Sequence, residues 1–122
     1  MEVSRFLEGH KDSLVWQKAM DLVTVIYRLT RAFPKEELYG LTGQIRRAAV
    51  SIPSNIAEGH ALKQTLAYLR HLAIASGSLA EIQTQLEIAD RLGYIKSESR
   101  KVFDQADEVG RMLAGLRRSL KA

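Results

Sequence analysis

Apolar residues recur along this chain at alternating steps of four and three, in four separate stretches. Val15, Ala19, Leu22, Ile26, Leu29 and Phe33 make the first run, the seam of a helix packed in a bundle. Pro34 closes it, because the residue before a proline is pushed out of the α region. A second stripe, Trp16, Met20, Val23 and Tyr27, lies one residue further round. Together the stripes are wider than one antiparallel neighbour needs, which predicts contacts between subunits. Leu41, Ile45, Ala48, Ile52 and Ile56 line one side of a second helix, with Gly59 as its expected stop. Leu72, Ala75, Leu79, Ile82, Leu86 and Ala89 mark a third helix from about Lys63 to Arg91. A mid-helix glycine costs roughly 1 kcal/mol relative to alanine, so Gly77 is expected to sit where a neighbouring backbone comes close. Ser97 reads as the N-cap of a fourth helix with Val102, Ala106, Val109, Leu113, Leu116 and Leu120 as its seam.

The fold class is therefore all-α. Short connections between four helices give an antiparallel up-down-up-down bundle. A chain of 122 residues is one domain, 1–122, with residues 1–12 expected to be loosely ordered. One stretch interrupts the pattern. In Ser51-Ile52-Pro53-Ser54-Asn55-Ile56-Ala57-Glu58-Gly59, Pro53 lacks the amide that would bond to Ala49 and its ring crowds that carbonyl, so the second helix is expected to be kinked there. Ser51, Ser54 and Asn55 can hydrogen-bond the backbone groups so released. Asn55 and Glu58 are expected to reach the third helix near Glu81, Thr84 and Gln85. This assigns the motif to structure; a ligand-binding role is the competing reading.

Composition narrows the function classes. A hydrophobic fraction of 46% and a charged fraction of 26% are those of a globular protein rather than a disordered one. No apolar run approaches the roughly 18 residues of a membrane span, and the opening MEVSRFLEGHKDS lacks the apolar core of a signal peptide. The expectation is a cytoplasmic protein without a membrane role. The absence of cysteine excludes disulfides, thiolate metal sites and a cysteine nucleophile. His10, His60 and His71 are not paired at helical ligand spacing, and no Glu-x-x-His, Walker loop, Gly-x-Ser-x-Gly or Ser-x-x-Lys occurs. No enzyme, metal or cofactor is expected.

A net charge of +4 makes anionic partners plausible without demanding them. From Arg111 onward the chain carries Arg111, Arg117, Arg118 and Lys121 and no acidic residue. Two accounts fit: cations favour a helix C-terminus through the macrodipole, or they form a nucleic-acid footprint. Arg111 and Arg118 are one heptad apart, hence on one face, where they can meet successive phosphates. No aromatic residue interleaves with them, so binding would be backbone-directed and weakly selective. Arg46 and Arg47 are the other candidates, one expected to turn inward toward Glu58, Glu81 or a subunit boundary while its neighbour faces solvent.

The segments VWQKAMDL, YGLTGQIRRAAVSIPSNIAEG and IASGSLAEIQTQLEIADRLGYI resemble the four-helix-bundle proteins named for open reading frames in 23S rRNA intervening sequences. The resemblance spans roughly Leu14 to Ile95 and leaves out the fourth helix. The same superfamily is similar to the accessory variability determinant of diversity-generating retroelements, a pentamer that binds nucleic acid and a reverse transcriptase. In such proteins an acidic residue precedes the aromatic that begins the third helix, and a phenylalanine follows three places later. Here those places hold Ala67, Tyr68 and His71. The resemblance implies a homo-oligomer, a pentamer, with a basic surface and no catalytic activity. Charge and resemblance together lead to a bundle that binds RNA or DNA through its basic residues. The alternative is a protein-interaction scaffold, for example a partner of a reverse transcriptase, with no direct nucleic-acid role.

Overall fold

The computed structural model describes residues 9–122, and among them there are helices and connecting turns but no strand. Helix α1 spans Leu14–Thr30, α2 Leu41–Ala61, α3 Thr65–Arg91 and α4 Lys101–Lys121. Consecutive helices pack side by side, α4 closes back on α1, and the diagonal pairs α1–α3 and α2–α4 make no comparable contact. The helices thus stand at the corners of a square and alternate in direction. Of the first twelve residues, His10–Asp12 form a 3-10 turn, and the expectation for residues 1–8 falls outside the described residues.

The predicted seams meet at the centre. Leu22, Ile26, Ile45, Ile52, Ile56, Leu72, Ile82, Leu86 and Leu113 are fully buried, each worth roughly 1.5–3 kcal/mol of transfer free energy. Leu41 and Leu116 are only partly covered, at the margin of the core.

Local chemistry sets the helix ends. Ser13 caps α1 by accepting the Trp16 amide at 3.4 Å. The first turn of α2 has no side-chain cap of its own. Glu37, in the 3-10 turn Lys35–Glu37, takes that role: its carboxylate accepts the Leu41 amide at 3.2 Å and the Tyr94 hydroxyl at 3.1 Å. A carboxylate there also suits the positive end of the helix dipole. Partial burial, then the hydrogen bond to Glu37, raises the Tyr94 phenol above its usual pKa.

The second helix runs through Pro53 to Ala61. Three sequence expectations are corrected. Gly59 does not stop that helix, because it ends at Leu62 and Lys63, whose φ of 54° is left-handed. Ser97 does not cap the fourth helix, since Ser97–Ser99 form a 3-10 turn and the α-helix begins at Lys101. Gly77 is not a point of close approach: a Cβ there would meet nothing within 4 Å. The close approaches are at Gly110 and, above all, Gly59. A Cβ on Gly59 would lie 2.8 Å from His71 Cβ and 3.3 Å from Tyr68 Cα.

Lys63 therefore occupies a position that favours glycine. Lys63→Gly is expected to stabilise the fold by about 1 kcal/mol, the order of the left-handed penalty of an L-residue. Urea denaturation reads this directly, and an unchanged midpoint would show that the lysine is unstrained.

Candidate nucleic-acid interface

Helix α4 buries Val102, Ala106, Val109, Leu113 and Leu120 against α1 and α3 and turns its charged side to solvent. Lys18 pairs with Glu108 at 3.6 Å, which occupies the last carboxylate of the helix. Beyond it Arg111, Arg118 and Lys121 are exposed, and no salt bridge engages them among the described residues. Arg117 differs. It is half-buried and turned toward α3, where one guanidinium NH2 group donates to Ser76 Oγ at 3.3 Å. Its Nε is buried without a hydrogen-bond partner among the described residues. The C-terminal set is thus three free cations beside a fourth held in place by a hydroxyl rather than a carboxylate.

Arg46 and Arg47 stand elsewhere. They lie near the start of α2, diagonally across the bundle from α4 and toward its opposite end. Arg46 is the inward one: Nε donates to Thr30 Oγ1 at 2.8 Å, and the guanidinium sits 4.7 Å above the Tyr27 ring. Arg47 is exposed on the α2–α3 side, beside Gln44, Ser51 and Glu81. Neither arginine forms an ion pair with Glu58 or Glu81 in the chain. Within one copy, the six predicted basic residues do not make one surface.

The proline motif builds a polar ladder between α2 and α3. Asn55 Nδ2 donates to the Ser51 carbonyl at 2.9 Å and to Ser51 Oγ at 3.0 Å. Ser78 Oγ donates to Ser51 Oγ at 2.8 Å. Asn55 Oδ1 lies 2.9 Å from His71 Nδ1, and Glu58 Oε2 lies 3.8 Å from the same nitrogen. Asn55 and Glu58 do reach the third helix, but they meet His71 rather than Glu81, Thr84 or Gln85. Thr84 instead bonds the Ala80 carbonyl, and Gln85 donates to Glu81 at 3.4 Å. Ser54 is exposed at the edge of an apolar groove shared with α1.

One concavity has no precursor in the helical pattern. A cleft of about 440 Å³ opens between α1 and the turn before α4, floored by Val25, Leu29 and Val102 and edged by Arg28, Lys96 and Lys101. Its walls come from the end of α1, the α3–α4 connection and the start of α4, brought together by bundle closure, so helical periodicity carries no trace of it.

A protein-family model described as 23S rRNA-intervening sequence protein matches residues 11–115. Among solved structures the chain is similar to a protein of unknown function from the S23 ribosomal protein family of Bacteroides thetaiotaomicron. The two share 24% identity and a TM-score of 0.79 over 88% of this chain and 98% of that one, a likeness of fold. No curated protein matches the chain.

Proposed function

The chain belongs to the family of 23S rRNA-intervening sequence proteins, and on that premise we propose that it is a non-enzymatic, homo-oligomeric bundle of the cytoplasm that binds RNA through phosphate contacts. A pentamer is the assembly this reading takes. The observation that carries it is the end of α4, where Arg111, Arg118 and Lys121 are exposed and no acidic residue follows Glu108. A macrodipole needs cations only near the last turn, and Arg111 lies well before it. Arg117, its Nε buried without a partner among the described residues, adds a fixed positive charge behind that surface.

Charge without aromatic platforms favours contact with the backbone over the bases. Gel-shift titration against rRNA-derived and random RNA should show similar affinities that fall steeply with salt. Replacing Arg111, Arg118 and Lys121 together by glutamate should weaken binding at least about tenfold at low salt. It should also flatten the log–log salt slope by roughly two units, since each lost phosphate contact removes about 0.7–0.9. No shift of either RNA at low salt, or an unchanged slope in the triple variant, would sink the reading.

A second reading, a scaffold for another protein such as a reverse transcriptase, draws on Leu38, Tyr39 and Leu92. These are 48%, 94% and 54% exposed at the end of the bundle away from the α4 cations. Pull-down that survives the glutamate triple variant but fails with Tyr39→Ser would favour it.

A further inference from the structure

We infer that the outer face of α3 is the seat for a second copy of this chain, which docks through its α1–α2 face. The inference deepens the oligomer reading above and rests on it.

A solvated helix face ordinarily carries long charged side chains. The exposed face of α3 does carry Arg70, Glu81, Glu87 and Arg91, but among them runs a lane of Ala73, Ile74, Gly77, Ala80, Thr84 and Ile88, with Ile74 and Ile88 48% and 44% exposed. Gly77 leaves a gap, since a Cβ there would touch nothing within 4 Å. Gln85 lies in the floor of the same groove, 5% exposed, with its Oε1 lacking a hydrogen-bond partner among the described residues. Buried amide oxygens are rarely left so. A lane of small residues beside an unsatisfied acceptor is a surface shaped for an occupant that brings both bulk and a donor.

The chain presents such a surface on its adjoining side. Trp16, Met20, Val23, Val50, Pro53 and Ala57 form an apolar groove between α1 and α2, from which Met20 and Val50 project, 39% and 42% exposed. Arg46, over the Tyr27 ring, closes one end of it. Glu81 is the carboxylate of the α3 groove, and it makes no ion pair among the described residues. The two faces are therefore complementary in shape and in charge.

Their heights agree as well. Within a copy, Ser51 is level with Ser78 and Asn55 with His71. By the same antiparallel stagger, Val50 is level with Ser76 to Leu79, and Arg46 with Ala80 to Gln83. Copies related by rotation about an axis along the bundle keep their heights, so Val50 of one copy meets the gap at Gly77 of the next. Arg46 then arrives opposite Glu81. Adjacent sides of a square bundle diverge by about 90°, and a head-to-tail contact between such sides closes a ring of roughly four or five copies. The corner they share, α2, turns toward the axis with Arg47, Ser54 and Glu58 exposed on it. Helix α4, diagonally opposite, is left on the outer rim with its cations free.

Gly77→Gln and Val50→Gln test the pairing, because both positions are exposed in the single copy and glutamine is a good helix former. Each variant should lose assembly completely by native mass spectrometry and sedimentation, with helical circular dichroism unchanged. Mixed in equal amounts at high concentration, the two should form a one-to-one heterodimer. The Gly77→Gln copy keeps its α1–α2 face, and the Val50→Gln copy keeps its α3 face. Variants that assemble like wild type, or a mixture that stays monomeric, would overturn the assignment. A monomeric wild-type protein would overturn the oligomer reading itself, and the face pairing with it.

Discussion

Gly59→Ala is expected to destabilise the protein by about 1–2 kcal/mol, while the same exchange at Gly77 stabilises it by about 1 kcal/mol. Both glycines have helical backbone, Gly77 in mid-helix and Gly59 in the last turn of α2, close to its end at Ala61. Propensity alone favours alanine at each, by up to roughly 1 kcal/mol, so it predicts the same sign twice. Packing separates them. At Gly59 the new methyl would sit 2.8 Å from His71 Cβ, 2.9 Å from Tyr68 Cδ1 and 3.3 Å from Tyr68 Cα. A flexible side-chain tip could move aside, but a backbone atom moves only if α3 moves. Overpacking of this kind costs about 1–3 kcal/mol and occasionally more, enough to reverse the propensity gain. Valine at Gly59 should cost about 3 kcal/mol, a fall in midpoint of roughly 10 °C for a domain of this size. Thermal and urea unfolding of the three variants would check this, and a stabilised Gly59→Ala would mean that α2 and α3 part without penalty. Tyr68 supplies a second observable. Burial against α2 pushes its phenol above the usual pKa, and a wedge at Gly59 should bring its titration back toward that of free tyrosine.

The two glycines also mark how far the sequence could be read. The helical seams were legible because burial follows the 3.6-residue period: Val15 through Phe33 on α1 and Leu72 through Ala89 on α3 are buried as the pattern requires. Which glycine touches a neighbour depends on where two helices cross, and no local pattern records that. Gly77, amid small residues, looked like the contact, but Gly77 itself faces outward. The orientation of Arg46 against Arg47 was open for a similar reason. One residue turns a side chain by about 100°, and only the position of Tyr27 and Thr30 decides which arginine is inward. Asn55 and Glu58 were rightly directed to α3, but the stagger of the pair sets their partner, and it is His71. That residue stands where the resembled proteins have phenylalanine, and here it donates to an amide oxygen. On α4 the charge pattern was readable, whereas the inward turn of Arg117 to Ser76 required the α3–α4 packing.

Pro53→Ala should raise the stability of the isolated bundle by about 1–2 kcal/mol and weaken its self-association. Helix α2 keeps its α conformation through residue 53, so alanine fits the existing backbone and restores the amide that the Ala49 carbonyl lacks. Proline in a helix interior is about 3 kcal/mol less favourable than alanine. Against that stands the loss of roughly two buried methylenes from the ring, about 1.6 kcal/mol. The difference is a gain, seen as a midpoint higher by roughly 5 °C. The ring is buried in the single copy among Trp16, Met20 and Val50 in the α1–α2 groove, the face assigned to the neighbouring copy, so its removal leaves a gap into which Met20 and Val50 can shift and so disturbs that contact. Circular dichroism of a dilute sample and sedimentation of a concentrated one should therefore move in opposite directions. A variant that loses stability and assembly in step would return the proline to its first interpretation, a residue whose bend the fold requires. Opposite movement would make it a residue that α2 tolerates at a cost and that the surface uses.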